Sequence, residues 1–155
     1  MRGVTGSFFI IIPLLVVLST KPGLQRLLVI APTGDLIFGY NFGKKKDIFD
    51  AELSEDMNQA VLTAGFLAAI ANFSKQLEAK GSSLTLRSEG LYFTLEKVGE
   101  VLYAIQSLNF TKNLEQKFHE FASKVQLPQI SFGELNPAIA EPIKTQIHES
   151  FNALY

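Results

Sequence analysis

The 155-residue sequence contains no cysteine and no tryptophan. Without cysteine there can be no disulfide, no thiolate zinc site and no cysteine nucleophile. That absence fits a reducing compartment, although exported proteins can share it. Histidine is nearly absent too. His119 and His148 each fall on a predicted helix without a second histidine nearby. Neither begins an H-E-x-x-H pair, because His119-Glu120 runs into Phe-Ala-Ser and His148-Glu149 into Ser-Phe-Asn. Ligand count therefore argues against a metal site. No G-x-S-x-G nucleophile elbow occurs. Gly39 to Lys44 imitates a phosphate-binding loop but is one residue short, and Lys45 stands where Ser or Thr would hold Mg²⁺. An excess of either charge is also lacking: 14 basic against 15 acidic residues, net −1. That balance excludes the basic surplus of a dedicated nucleic-acid binder.

What is present is an ordinary globular interior, 47% hydrophobic with 13 phenylalanines, in a chain of one-domain length. Its organising stretch is Leu27 to Phe42. Leu27-Leu28-Val29-Ile30 is continuously apolar and reads as a strand covered on both faces. Ala31-Pro32-Thr33-Gly34-Asp35 is a compact turn, with Pro32 pre-set for position i+1 of a type I turn and Gly34 able to take a positive φ. Leu36 to Phe42 begins apolar and turns half polar, the pattern of a strand nearer an edge.

Residues Met1 to Gly23 stand apart. Phe8 to Leu18 is an apolar run broken by Pro13, and eleven residues are short of the roughly 20 needed to span a bilayer as a helix. Arg2 before it resembles a short secretory signal, but no A-x-A cleavage pattern follows. Four readings stand: a signal or anchor, a membrane-surface segment, an extra strand or helix packed on the domain, and a mis-assigned start. Lys21-Pro22-Gly23 is the boundary, and the folded domain runs from Leu24 to Tyr155.

After the hairpin, Gly43-Lys44-Lys45-Lys46-Asp47 forms a lysine-rich loop. Lys44, Lys45 and Lys46 are either solvated or a contact for an acidic lipid or partner face. A long helix then starts near Ser54, with Glu55 and Asp56 in its first turn, and runs to about Lys80, where Gly81 stops it. One face carries Leu62, Phe66, Ile70, Phe73 and Leu77. An adjoining face carries Ala60, Ala64, Ala68 and Ala71. Together they make an apolar arc wider than one sheet contact requires. Either both stripes pack on the sheet and its loops, or one meets a second subunit, where the small residues would permit close helix approach.

Three short strands follow in a meander with glycine-bearing turns: Leu84 to Arg87, Leu91 to Glu96 and Val101 to Gln106. The third is apolar on both faces and belongs beside the first strand. Asn109 or Thr111 caps a helix from Lys112 to Val125, with Leu114, Phe118, Phe121 and Val125 on its buried stripe. Asn136-Pro137 starts the last helix, with Ile139, Ile143, Ile147 and Phe151 buried, and Pro142 either bends it or marks the start of its regular part. The remaining carboxylates lie beside lysines on solvated faces. Asn72-Phe73-Ser74 and Asn109-Phe110-Thr111 fit the glycosylation acceptor pattern, which arises often by chance.

The order strand, strand, long helix, three strands, helix, helix resembles the longin domain. APTGDLIFGYNF, SSLTLRSEGLYFTLEKVGEVLYAIQS and the pair NLEQKFHEFASKVQ and NPAIAEPIKTQIHESFNALY carry the resemblance, which covers Leu24 to Tyr155. The related roadblock fold begins with a helix and ends with one rather than two. The resemblance implies an α+β fold, a five-stranded antiparallel sheet in order 2-1-5-4-3, with the long helix on one face and the last two on the other. It implies a non-catalytic, cytoplasmic protein–protein module without cofactor, acting in membrane traffic as a platform for small GTPases and often dimeric. The partner contact is then expected on the long helix and the edge strand, at Ala60, Ala64, Ala68, Ala71, Leu84 and Leu86. A ligand-sensing domain of the PAS type, which also wraps a five-stranded sheet, is the alternative and needs an internal cavity. No SNARE heptad helix follows, which argues against a vesicle-fusion SNARE.

Overall fold

In the computed structural model, the described residues are 22–50, 54–74, 77, 82–125, 127 and 137–154. The alternatives for the N-terminal segment lie outside them, except at Pro22 and Gly23. The strands are β1 (Leu24–Ile30), β2 (Leu36–Asn41), β3 (Lys46–Asp47), β4 (Ser83–Ser88), β5 (Leu91–Val98) and β6 (Val101–Ser107). The helices are α1 (Ser54–Phe73), α2 (Lys112–Lys124) and α3 (Ala140–Phe151), the last preceded by a 3-10 turn at Pro137–Ile139.

All strands form one antiparallel sheet in the order β3-β2-β1-β6-β5-β4. The five expected strands keep their expected order, and a two-residue sixth, β3, is added. It corrects the reading of β2 as an edge: Tyr40 pairs with Asp47 and Asn41 with Lys46, so β2 is buried along most of its length. Lys46 therefore belongs to a strand, not to the loop.

The hairpin turn follows its residues closely. Gly34 N donates to Ala31 O at 2.9 Å and Gly34 takes φ 91°, the type I turn with a left-handed glycine that the sequence calls for; a separate register shift follows between Val29 and Ile30, where Ile37 is the extra residue. The β4–β5 turn is a tighter case. Glu89 (φ 53°) and Gly90 (φ 80°) both occupy the left-handed region, as a two-residue primed turn demands. Glycine does this freely, whereas a glutamate pays a steric penalty there. Glu89→Asn, which suits that conformation, is expected to raise stability by about 0.5–1 kcal/mol in urea unfolding. No gain would mean that the turn has another geometry.

The sheet buries two cores. Leu27, Val29, Phe38, Tyr40, Tyr103 and Ile105 meet Leu114, Phe118 and Phe121 of α2 and Ile143, Ile147 and Phe151 of α3. On the opposite face Leu28, Ile30, Leu36, Ile48, Leu95 and Leu102 meet Ala60, Ala64, Leu67 and Ala68 of α1. Leu27 to Ile30 are buried throughout, as the continuous apolar run requires of a strand between two neighbours.

Caps set the helix limits. Thr111 caps α2, its Oγ1 accepting from Leu114 N at 3.0 Å. Pro142 sits third in α3, where its missing N–H is one of the donors a first turn leaves unpaired, so it marks the regular start rather than a bend. The long helix is shorter than expected. It ends at Phe73, and Ser74 N bonds back to Ala71 O at 3.2 Å. Continued helically, Leu77 would fall on the Phe66–Phe73 stripe. It is instead buried in the α1-side core, which the chain reaches only by leaving the helix.

Candidate protein-interaction surface on α1 and β4

The two stripes of α1 take opposite roles to those expected of a partner contact. Ala60 and Ala64 are 0% exposed and Ala68 is buried against the sheet, with Ala71 partly buried beside it. The sheet presents large side chains to this helix (Leu28, Ile30, Leu36, Ile48), so the helix fits against it mostly through small residues, with Leu67 the one large side chain of α1 fully buried there. The alanines are thus largely used by the fold, with Ala71 still partly open. The bulky stripe faces outward: Leu62 is 76%, Phe66 62% and Phe73 90% exposed, with Val61 also open. A shallow groove of about 400 Å³, lined by Phe66, Ala69, Ile70, Phe73 and Ser74, runs along its C-terminal half. From Met57 to Ser74 the helix carries no charged residue.

β4 lies at the far edge of the sheet, three strands from β1, while α1 packs over β1 and β2. It ends the sheet, so one side of its backbone has no strand partner among the described residues. Leu84 and Leu86 are half-buried on its α1 side. Arg87 is its single charge, little of the charge with which edge strands usually discourage pairing. The lysine loop is at the other end of the sheet. Lys44 and Lys45 are exposed, and Asn41 Oδ1 accepts from Lys44 N at 2.9 Å, while Lys46 lies 3.8 Å from Asp50.

Three partly buried polar contacts hold this frame. Arg26 on β1 bonds Asp56 in the first turn of α1, which pins the helix start to the sheet centre. Lys144 on α3 bonds the buried Asp47 at 2.7 Å, and Asp47 also accepts from Phe49 N at 2.8 Å. The Asp47 hydrogen bond raises the Lys144 pKa. The third contact, Glu96 with His119, escaped the sequence reading, which placed the carboxylates on solvated faces. Glu96 Oε1 lies 2.6 Å from His119 Nδ1, and Glu96 Oε2 and Thr94 Oγ1 are buried with no hydrogen-bond partner. The missed signal was alternation. Thr94 and Glu96 lie opposite Phe93 and Leu95, and a strand between β4 and β6 under α2 is covered on that face as well.

Burial raises the Glu96 pKa above 4.5, and the His119 hydrogen bond offsets this only in part. A raised folded pKa means that the folded state binds the proton more readily than the unfolded state. Glu96 therefore favours folding most at acid pH, and that contribution is lost as pH rises through the raised value. Glu96→Gln should remove the slope: wild type is expected to gain stability over the variant as pH falls from 7 toward 4.5. Parallel stability–pH curves for the two proteins would refute a raised value.

No three His, Cys, Asp or Glu side chains converge as a metal site among the described residues. No helix among them is long and apolar enough to cross a membrane. Comparison of the chain with protein-family models, and with curated proteins, gives no match.

Proposed function

We propose that this domain is a non-catalytic protein-interaction module of the longin type, a platform for small GTPases in membrane traffic on the cytoplasmic side. The observation that carries this reading is the charge-free apolar face of α1, with the β4 sheet edge as a second candidate contact. Exposed apolar surface concentrated on one helix marks an interaction site, whereas single scattered residues do not. An edge strand is a ready template for an added strand. The strand order and the placement of one helix against two support the family reading by analogy of fold, and the function rests on the surface. Lys44 and Lys45 give the opposite sheet end a positive corner suited to acidic lipid or an acidic partner face.

The PAS-like alternative needs an internal cavity and draws little support here: the 400 Å³ groove lies on the outer face of α1, and the clefts between α1 and the sheet hold about 40 and 90 Å³, below the roughly 300 Å³ of a small-molecule site.

The test is binding of purified small GTPases, each loaded with GDP or a non-hydrolysable GTP analogue, to the immobilised chain. Leu86→Lys is expected to weaken binding about tenfold or more at unchanged thermal stability, because a lysine at this half-buried edge position can place its amine in solvent. Equal binding by wild type and variant would remove β4 from the contact. No binding by any GTPase in either state would remove the reading.

A further inference from the structure

We infer that the rim of the sheet where β1 begins is a docking surface for an anionic membrane, made of the Lys44–Lys45 turn and the apolar run Phe8 to Leu18 that joins the domain there. This goes beyond the interaction module: it commits the positive corner to lipid and orients the domain. Three observations carry it.

The first is a convergence made by the topology. Phe42 N donates to Gln25 O at 3.1 Å, which sets the turn bearing Lys44 and Lys45 beside the start of β1. On the other side of β1, Leu108 N donates to Gly23 O at 3.0 Å and Asn109 N to Pro22 O at 2.9 Å, so pairing with the β6 side continues outward to Pro22. Whatever precedes Pro22 therefore joins the domain at this rim, between the lysine turn and the start of α2. In the sequence only Ser19-Thr20-Lys21 separates Pro22 from the apolar run. A run too short to span a bilayer and a basic turn distant in sequence thus meet at one end of the sheet.

The second is charge. The whole chain is net −1. Yet the exposed charged side chains described at this rim are Lys44, Lys45, Arg87 and Lys112, against Glu89 alone. The opposite rim sets Asp35 and Glu100 beside Lys97 and Lys124, with no basic excess. Such an uneven distribution turns one end of a molecule toward a negative surface. Each Lys or Arg near an anionic leaflet strengthens partition by about fivefold.

The third is what lies between the charges. Leu108 is 48% exposed. The Arg87 guanidinium sits 5.5 Å from the centre of the half-buried Tyr92 ring, which lies 6.4 Å from Phe110. Tyrosine suits a membrane interface because its ring is apolar and its hydroxyl wet. One weak apolar anchor binds marginally, whereas an anchor beside a basic patch holds. An acidic protein would match the lysines but leave the apolar run unused, so lipid accounts for more of the rim.

Docked this way, the domain stands on its strand ends, and the outward face of α1 and the β4 edge stay open at the sides. The test is vesicle flotation of the full chain at low salt, with phosphatidylcholine alone or with about one-third phosphatidylserine. Binding to the anionic vesicles is expected to be at least about tenfold stronger, and to weaken as salt rises. Lys44→Gln with Lys45→Gln should weaken it about 30-fold at unchanged thermal stability. Lys97→Gln with Lys124→Gln, the same charge change at the opposite rim, should cost less than about threefold. Ile11→Asp, in the apolar run, should weaken binding at least about tenfold. Because the chain has no cysteine, Asn109→Cys and Thr33→Cys place a polarity-sensitive dye at one rim or the other, and only the dye at 109 should report apolar surroundings on anionic vesicles. The proposal is overturned by absent flotation, by equal binding to neutral vesicles, or by equal losses from the two lysine pairs. Wild-type binding by Ile11→Asp, or equal dye responses at 33 and 109, overturns it too. Capture on polyglutamate without flotation would assign the rim to an acidic protein and overturn it as well. Flotation with no GTPase captured would leave this proposal standing and remove the GTPase reading. GTPase capture without flotation would do the reverse.

Discussion

Phe151→Ala is expected to cost about 3–5 kcal/mol of folding stability and to lower the thermal midpoint by on the order of 10 °C. Phe151 is fully buried at the end of α3, where the helix meets both the sheet and α2. Its ring lies 5.9 Å from Phe42, edge-on, and 5.5 Å from Phe121, which in turn packs edge-on against Tyr103 at 5.9 Å. Alanine removes the transfer energy of a large ring and leaves a cavity. The cavity cannot collapse easily, because a strand, a second helix and the α3 backbone all border it. The aromatic pairs add about 0.5–1.5 kcal/mol each beyond area. Phe151→Leu, which keeps most of the volume, should recover well over half of the loss. Urea unfolding of the three proteins measures this directly. A loss below about 1 kcal/mol for alanine would show that α3 is not anchored here.

Gly39→Val carries the second large effect, about 3 kcal/mol, and comes from crowding rather than a void. Gly39 lies on β2 opposite Leu28 and faces α1. A Cβ built there sits 2.6 Å from Ile48 Cγ2 and 3.5 Å from Leu28 Cδ2. Ile48 cannot easily withdraw, since its N–H is bonded to Gly39 O at 2.9 Å and its side chain is buried in the α1-side core. The glycine therefore makes room for the return of the chain after β3. Trimming Ile48 should relieve the clash: Gly39→Val with Ile48→Ala is expected to be more stable than the sum of the two single losses allows, by 1 kcal/mol or more. Strict additivity would mean that the two positions do not touch.

These residues show what the sequence discloses and what it hides. The β1–β2 hairpin was legible because Pro32 and Gly34 have few conformational options and the flanking runs are long and apolar. Likewise Thr111, Pro137 and the isoleucine spacing of α3 mark that end of the chain through local chemistry. The short β3 was not legible. Two residues, Lys46-Asp47, carry no periodicity, and their pairing with β2 is a tertiary event. The facing of α1 was the more consequential gap. Periodicity identified an alanine stripe and a bulky stripe but could not say which faced the sheet. That choice depends on the volume offered by Leu28, Ile30, Leu36 and Ile48, which comes from other parts of the chain. The usual expectation that large residues lie inside fails because the sheet had already supplied them. Glu96 was hidden for a related reason: a carboxylate next to Lys97 looks solvated until β5 is known to have α2 above it.

The pairing of β1 with β6 has a consequence during synthesis. Leu24–Ile30 leaves the ribosome early, but the strand that covers its second side is Val101–Ser107. The 70 residues 31–100 must be added in between, which at about 5–20 residues per second takes about 4–14 s. For that interval the most apolar strand of the protein has β2 beside it but an uncovered second edge, and α2 and α3 have yet to shield its face. A nascent chain in this state is a natural client for chaperones that hold extended apolar segments. Slowing elongation between residues 50 and 100 should then lower the soluble yield without changing the stability of the finished domain.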